Sequence, residues 1–172
     1  INRMVFGQSV GIANLGVNTK GGEPDSHLEV ATGSDECGVY NPELDTWVAG
    51  VWRVFDAKGN VEWAKDTQSD QSRSSAAIAD LNGDGNLEII GGTTSGETVE
   101  VMDRFGNFVW TFPTPPRRGN MMWHSSPAVA DVNPAVSGLE VIIGNRPLHT
   151  IFCFDGDNSD RVNDGLNAST IN

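Results

Sequence analysis

An internal repetition of short apolar segments restricts the fold of this 172-residue chain more than any other feature of its sequence. A first segment begins with serine and ends with an acid or an amide, at Ser9–Asn14, Ser75–Asp80 and Ser126–Asp131. A second segment follows each copy, at Leu28–Gly33, Leu87–Gly92 and Leu139–Gly144. Because segments that recur in a fixed order define a structural unit, this repetition outweighs any single local motif.

Two further segments complete the repeated unit. The third lies at Val51–Asp56, Val99–Asp103 and Ile151–Asp155, and the fourth lies at Gly59–Trp63 and Gly106–Trp110. Short runs of valine, isoleucine and aromatic residues between turn residues are typical of β-strands. Units of four strands that repeat every 40 to 50 residues or so are typical of β-propeller blades. We therefore expect an all-β fold with about three blades, each of four antiparallel strands.

The repeats divide the chain into a first unit at 1–70, a second at 71–122 and a third at 123–155, with 156–172 as a polar tail or the start of a further blade. The first unit is the longest, and we expect its extra length to lie in loops at Val17–His27 and Ser34–Ala49. Trp63 and Trp110 occupy the same place in successive units, so we expect them to pack between blades rather than to stack on a ligand.

Three blades do not close a propeller, which normally has four to eight. An isolated set of three would expose two apolar faces, which soluble proteins avoid. We therefore expect that the chain is a fragment or a processed part of a longer protein, or that other chains complete the propeller.

The loop between the first two strands of the middle unit, Asp80–Glu88, reads Asp-Leu-Asn-Gly-Asp-Gly-Asn-Leu-Glu. Calcium takes six to eight oxygen ligands in irregular geometry, and oxygen-bearing residues at alternate positions can supply them. The predicted ligands are the side chains of Asp80, Asn82, Asp84 and Glu88 and the backbone carbonyl of Asn86. Gly85 permits the sharp bend of the loop. The alternative is an ordinary Asn/Asp/Gly turn without an ion.

The loop is not an EF-hand, because position 12 is Gly91 and the flanking segments are short, apolar and partly β-branched. The third unit carries a weaker version of the pattern, with Asp131, Asn133 and Glu140 as candidate ligands. It lacks an acid at position 5 and contains one extra residue. In the first unit the oxygen-bearing residues do not fall at these positions, and we expect a solvated loop there.

The sequence Ser75–Ile90 resembles the FG-GAP or VCBS repeat, which occurs in integrin α-subunit propellers and in many bacterial extracellular propellers. The resemblance covers residues 5–155, and the pattern Phe55–Trp63 is also similar to blades of quinoprotein-type propellers. It implies that the loop between the first two strands of a blade holds Ca²⁺, here through Asp80, Asn82, Asp84, Asn86 and Glu88. It also implies a secreted protein, extracellular, at the cell surface or periplasmic, with a role in protein binding or cell adhesion.

The net charge of −12, from 23 acids and 11 bases, argues against binding to nucleic acid or to an anionic membrane surface. No apolar run is long enough for a membrane span. Cys37 and Cys153 form no metal-binding or haem-attachment motif. Cys153 is expected to be a buried small hydrophobe, and whether the two cysteines are oxidised to a disulfide stays open. We expect the acidic tract Asp155–Asp160 to be a polar tail or loop rather than a metal site.

No catalytic constellation stands out, and His27, His124 and His149 fall in three different units. Two functions from different classes remain. The first is an extracellular, calcium-stabilised, non-catalytic propeller module that binds a protein or glycan partner. The second is a fragment of a propeller enzyme, either a calcium-dependent polysaccharide lyase or a quinoprotein-type dehydrogenase. The scarcity of basic groups and the lack of a cofactor cage favour the first.

Overall fold

The computed structural model describes residues 9–16, 26–41, 46–68, 71–94, 98–112, 125–134, 137–146 and 148–157. These residues form twelve β-strands and no helix, and every named strand pair is antiparallel. The prediction of an all-β fold is therefore confirmed. Within the described ranges, no helix has the length and apolarity that a membrane crossing requires.

The first sheet has five strands: β1 (Gly11–Ala13), β2 (Glu29–Thr32), β3 (Asp35–Asn41), β4 (Thr46–Phe55) and β5 (Val61–Asp66). The long strand β4 pairs with β2, β3 and β5, and β1 pairs with β2. The predicted loop at Ser34–Ala49 is wrong, because β3 and the first half of β4 pair there. Their register sets Val39 opposite Val48 and Tyr40 opposite Trp47, and such β-branched and aromatic residues favour strands. Most of the other predicted loop, Val17–His27, lies outside the described residues.

The second and third sheets follow the predicted order of segments. The second contains β6 (Ala77–Ala79), β7 (Glu88–Gly92), β8 (Val99–Met102) and β9 (Phe108–Phe112), each paired with the next. The third contains β10 (Ala128–Ala130), β11 (Glu140–Asn145) and β12 (Thr150–Asp155), again in sequential order. A fourth strand of the third unit would lie beyond Asp157, outside the described residues.

The turns β4–β5 and β8–β9 have the same hydrogen bonds. Asp56 Oδ1 accepts from the N–H groups of Lys58 and Asn60, at 2.8 and 2.7 Å. Asp103 Oδ1 accepts from the N–H groups of the equivalent residues Phe105 and Asn107, both at 2.8 Å. The glycine of each turn has a φ of 82°. The recurring sequence Asp-x-x-Gly-Asn thus gives one turn geometry, because its carboxylate binds the turn backbone and its glycine adopts positive φ.

The second sheet lies between the other two and is covered on both faces. All five residues of β7 are buried, and successive side chains point to opposite faces. On one face Ile89 and Met102 pack against Ala31, Trp52 and Val54 of the first sheet. The other face packs against the third sheet through a cluster of Leu81, Ile90, Val99, Val101, Trp110, Phe112, Val141, Ile143 and Phe154. The hydrophobic core is therefore divided into two layers between successive sheets.

Equivalent contacts join the first sheet to the second and the second to the third. Strand β6 contacts both β1 and β10. The N–H of Ser9 donates to Ser75 Oγ at 3.0 Å, and the N–H of Ser75 donates to Ser126 Oγ at 3.2 Å. In the last strands of the first and second sheets, Trp63 Nε1 donates to the carbonyl of Arg104 at 2.9 Å, and Trp110 Nε1 donates to the carbonyl of Gly156 at 3.3 Å. Both tryptophans thus lie between neighbouring sheets. Among the strands that the structure describes, no sheet closes on itself.

Candidate metal centre

The loop Asp80–Glu88 connects β6 to β7 at one end of the second sheet. The carboxylate of Asp80 binds the backbone of the loop. Its Oδ1 accepts from the N–H of Asp84 at 3.1 Å, and its Oδ2 accepts from the N–H of Gly85 at 2.9 Å. Asn82 Oδ1 also accepts from the N–H of Asp84, at 2.9 Å. The side-chain oxygens of Asp80 and Asn82 are therefore turned inward over the loop backbone.

Asp84 organises the second half of the loop. Its Oδ1 accepts from the backbone N–H and the side-chain Nδ2 of Asn86, at 2.7 and 2.9 Å. The N–H of Asn86 lowers the pKa of Asp84 more than any other group, so this side chain is a carboxylate at neutral pH. Gly83 and Gly85 have φ values of 72° and 86°, a region that glycine enters without a steric penalty.

Glu88 takes up a different position from the exposed tip of the loop. Its side chain is buried, and Oε2 accepts from the N–H of Leu81 at 2.9 Å. Burial raises the pKa of Glu88, and the charges of Asp84, Asp80 and Asp103 raise it further. The loop therefore concentrates negative charge, which a bound cation would offset.

The contact that Glu88 makes recurs in the other two sheets. Glu29 Oε2 accepts from the N–H of Leu15 at 2.6 Å, and Glu140 Oε2 accepts from the N–H of Val132 at 2.7 Å. All three acids are buried. The sequence reading missed this role, although the acid recurs in the first unit, where the calcium pattern is lost. That recurrence indicates a structural role of this acid that does not depend on a metal ion.

The donor chemistry of the loop fits a calcium ion. A carboxylate oxygen that accepts one N–H keeps a second lone pair for a cation. Among the described residues, no group of three or more His, Cys, Asp or Glu lies close enough to hold a metal. An ion in this loop would thus depend on oxygens of Asn82 and Asn86 in addition to the carboxylates. The five predicted ligands, Asp80, Asn82, Asp84, Asn86 and Glu88, stay a prediction.

The weaker predicted site in the third sheet has one unsatisfied polar atom. Glu140 Oε1 is buried and has no hydrogen-bond partner, while Oε2 accepts from the N–H groups of Val132 and Asn133. Asp131 is exposed, and Asn133 is half-buried. A buried oxygen without a partner is energetically costly, so a water or a cation at Glu140 would lower the energy of this site.

The other residues that the sequence analysis considered form no second site in the described part of the chain. Cys153 carries a free thiol in β12, and burial raises its pKa, with a further contribution from the charge of Glu140. His27 and His149 are exposed and lie far apart in the chain, His27 just before β2 and His149 in the connection between β11 and β12. His124 and the side chain of Cys37 lie outside the described residues.

In comparisons with known proteins, no family model and no curated protein matches the chain. The resemblance to FG-GAP and VCBS repeats therefore depends on the motif Ser75–Ile90 and on its recurrence along the sequence.

Proposed function

We propose that the chain belongs to an extracellular, calcium-stabilised β-propeller module of the FG-GAP or VCBS type, which binds a protein or glycan partner and catalyses no reaction. The equivalent contacts between successive sheets support the propeller arrangement, because blades around a common axis meet their neighbours in the same way. The acid excess of the chain suits calcium-binding loops in an extracellular setting.

The inward-turned oxygens of the loop Asp80–Glu88 are the single observation that carries the proposal. Asp80, Asn82 and Asp84 are already ordered around the loop backbone by hydrogen bonds of 2.7 to 3.1 Å. When bound, Ca²⁺ would offset the negative charge of the loop and tie β6 to β7. A ligand that binds only the folded state stabilises it by about 2.7 kcal/mol at a hundred times its Kd.

Thermal unfolding with calcium or with a chelator tests the calcium site. For a chain of this size, saturating calcium should raise Tm by about 5–10 °C. Asp84→Ala should remove most of that shift. Asp56→Ala is the matched control, because Asp56 also binds the backbone of an exposed turn but lies outside the calcium pattern. It should lower Tm and leave the calcium-dependent shift intact.

Isothermal titration with calcium measures binding directly. One ion per chain is expected for the wild type and for Asp56→Ala, and no binding is expected for Asp84→Ala. If the wild type shows neither heat of binding nor a chelator-dependent Tm, the loop is an ordinary turn and the proposed function is wrong.

Incubation with anionic polysaccharides tests the absence of catalysis. A lyase leaves an unsaturated sugar at the new chain end, which absorbs ultraviolet light, and we expect no such product. Accumulation of that product with calcium, and its loss with chelator, would establish the enzyme instead of the binding module.

A further inference from the structure

The third sheet has one apolar face that no described residue covers. We define the third-sheet open face by Ile142, Ile151 and Cys153. Cys153 pairs with Ile142 across β11 and β12, and Ile151 is two residues from Cys153, so the three side chains share a face. Val141 and Phe154 point to the opposite face and pack against the second sheet. Ile151 is 47% exposed.

The equivalent face of the second sheet shows what such a surface contacts. The residues equivalent to Ile142, Ile151 and Cys153 are Ile90, Val99 and Val101, and each is 0% exposed. They belong to the core layer between the second and third sheets. A face of this kind is therefore buried by the next sheet in the series.

The first sheet also has an exposed apolar face, on the side that points away from the second sheet. We define the first-sheet open face by Ile12, Val30, Phe55 and Val61, which the strand registers place on one side. Ile12 is 59% exposed and Val61 is 51% exposed. The equivalent residues of the second sheet are Ile78, Ile89, Met102 and Phe108, and all four pack in the core layer with the first sheet.

The two open faces match as partners. The third-sheet open face corresponds to the surface with which the second sheet meets the third. The first-sheet open face corresponds to the surface with which the second sheet meets the first. The serine contacts can continue the same series. Within the chain, the N–H of Ser9 donates to Ser75 Oγ, and the N–H of Ser75 donates to Ser126 Oγ. In the next contact of the series, the N–H of Ser126 would donate to Ser9 Oγ of another first sheet.

We propose that the third-sheet open face binds the first-sheet open face of a second copy of this chain. The interface would be a third instance of the contact that already joins the sheets twice within one chain. The inference depends on the side-by-side arrangement of sheets in the proposed propeller. Because the two faces differ, the contact is heterologous, and copies add head to tail until a ring closes.

Sedimentation velocity over a wide range of concentrations tests the assembly. The wild type should self-associate, and an aspartate in either face should weaken association by at least tenfold or so, because it places an unpaired charge in an apolar contact. The two test variants are Ile151→Asp and Ile12→Asp. Val109→Asp is the matched control: Val109 in β9 is also 47% exposed but lies on neither open face, so association should be unchanged. Circular dichroism of each variant verifies folding.

Mixing the two variants separates head-to-tail association from other modes. Ile151→Asp keeps a native first-sheet face, and Ile12→Asp keeps a native third-sheet face. An equimolar mixture should form a heterodimer through the one intact pair of faces, whereas each variant alone stays monomeric. If the contact joined two identical faces, mixing would restore nothing.

A wild type that is monomeric at all concentrations overturns the inference, as does association that Ile151→Asp and Ile12→Asp leave unchanged. A normal calcium-dependent Tm in a monomer would contradict this inference and leave the proposed function standing. Self-association of a wild type whose Tm does not depend on calcium would support this inference and contradict the proposed function.

Discussion

Glu100 is an acid without exposed surface, enclosed between the first and second sheets. Its carboxylate accepts from Trp52 Nε1 at 2.8 Å, from the N–H of Gln68 at 2.7 Å and from Thr98 Oγ1 at 2.9 Å. Burial raises its pKa to about 7, against the stabilising effect of these donors. Thr98 Oγ1 also hydrogen-bonds Thr93 Oγ1, so its hydroxyl can rotate to donate to Thr93 and accept a hydrogen bond from the protonated carboxyl of Glu100.

The pKa of Glu100 predicts that stability depends on pH. Because the folded-state pKa is above the ordinary 4.5, the folded protein keeps a proton that the unfolded chain loses. The proton on Glu100 contributes about 3 kcal/mol to the free energy of unfolding. This contribution is complete below pH 4.5 and is lost as the pH rises through 7. Urea unfolding of the wild type from pH 5 to 8 should show that decline.

Glu100→Gln should flatten this pH profile, because an amide does not titrate. It should also be less stable than the wild type at pH 5, since the amide nitrogen cannot accept from Trp52 Nε1. A wild type and a Glu100→Gln variant with the same pH dependence would show that Glu100 does not titrate in this range.

Gly91 is required by the indole of Trp52. It pairs with Glu100 across β7 and β8, and a Cβ at this position would overlap Trp52 Cη2 and Cζ2. Gly91→Ala should therefore destabilise the protein by about 1–3 kcal/mol through overpacking. Gly144→Ala is the comparison, because its Cβ would meet only the end of the Ser125 side chain, at 3.2 Å. Equal unfolding free energies for the two variants would refute the requirement for glycine.

At the scale of elements, the first two strands of each sheet are linked by one buried acid. Glu29, Glu88 and Glu140 each begin the second strand and accept a backbone N–H from the preceding connection. The contact is available only when the two strands pair in register, so it stabilises that register. Leu15, which donates to Glu29, is itself 2% exposed, and losing its acceptor would leave a buried N–H unsatisfied.

Glu29→Leu should cost about 1–3 kcal/mol, the usual penalty for a buried donor left without its acceptor. Glu29→Gln should recover most of that loss, because its amide oxygen can accept from the N–H of Leu15. Denaturant unfolding of both variants measures the difference. If glutamine is as damaging as leucine, the charge of Glu29 matters and the hydrogen bond does not.

The middle unit could be predicted almost completely at this scale, and the first unit could not. β6, β7, β8 and β9 coincide with predicted segments, because their valine, isoleucine and phenylalanine runs lie between glycine-rich turns. The strand Asp35–Asn41 was missed because Asp35, Glu36 and Asn41 are unfavourable in strands, and a loop fitted them better. Pairing with β4 decides the structure there, and that partner cannot be read from the segment alone.

At the scale of the whole molecule, the second sheet packs between the other two sheets, and the described residues cover each outer sheet on one face. Hydrogen exchange in a dilute, monomeric sample should reflect this. Amides of Ile90 and Val101 should exchange much more slowly than those of the equivalent residues Ile142 and Cys153, because opening the second sheet disrupts both core layers. Equal protection of the two sheets would mean that the third sheet has a cover outside the described residues.

The sequence by itself determined the strands of the repeated unit, the turns at Asp56 and Asp103, and the spacing of oxygens in the loop Asp80–Glu88. These features depend on contacts between residues only a few positions apart, so local sequence is sufficient for them. The tertiary structure alone decided that Glu100 meets Trp52 and Gln68, that Glu88 turns to the N–H of Leu81, and which faces of the outer sheets the described residues leave uncovered. Those outcomes require strands to pair and sheets to stack, and their energies come from partners that no single segment contains.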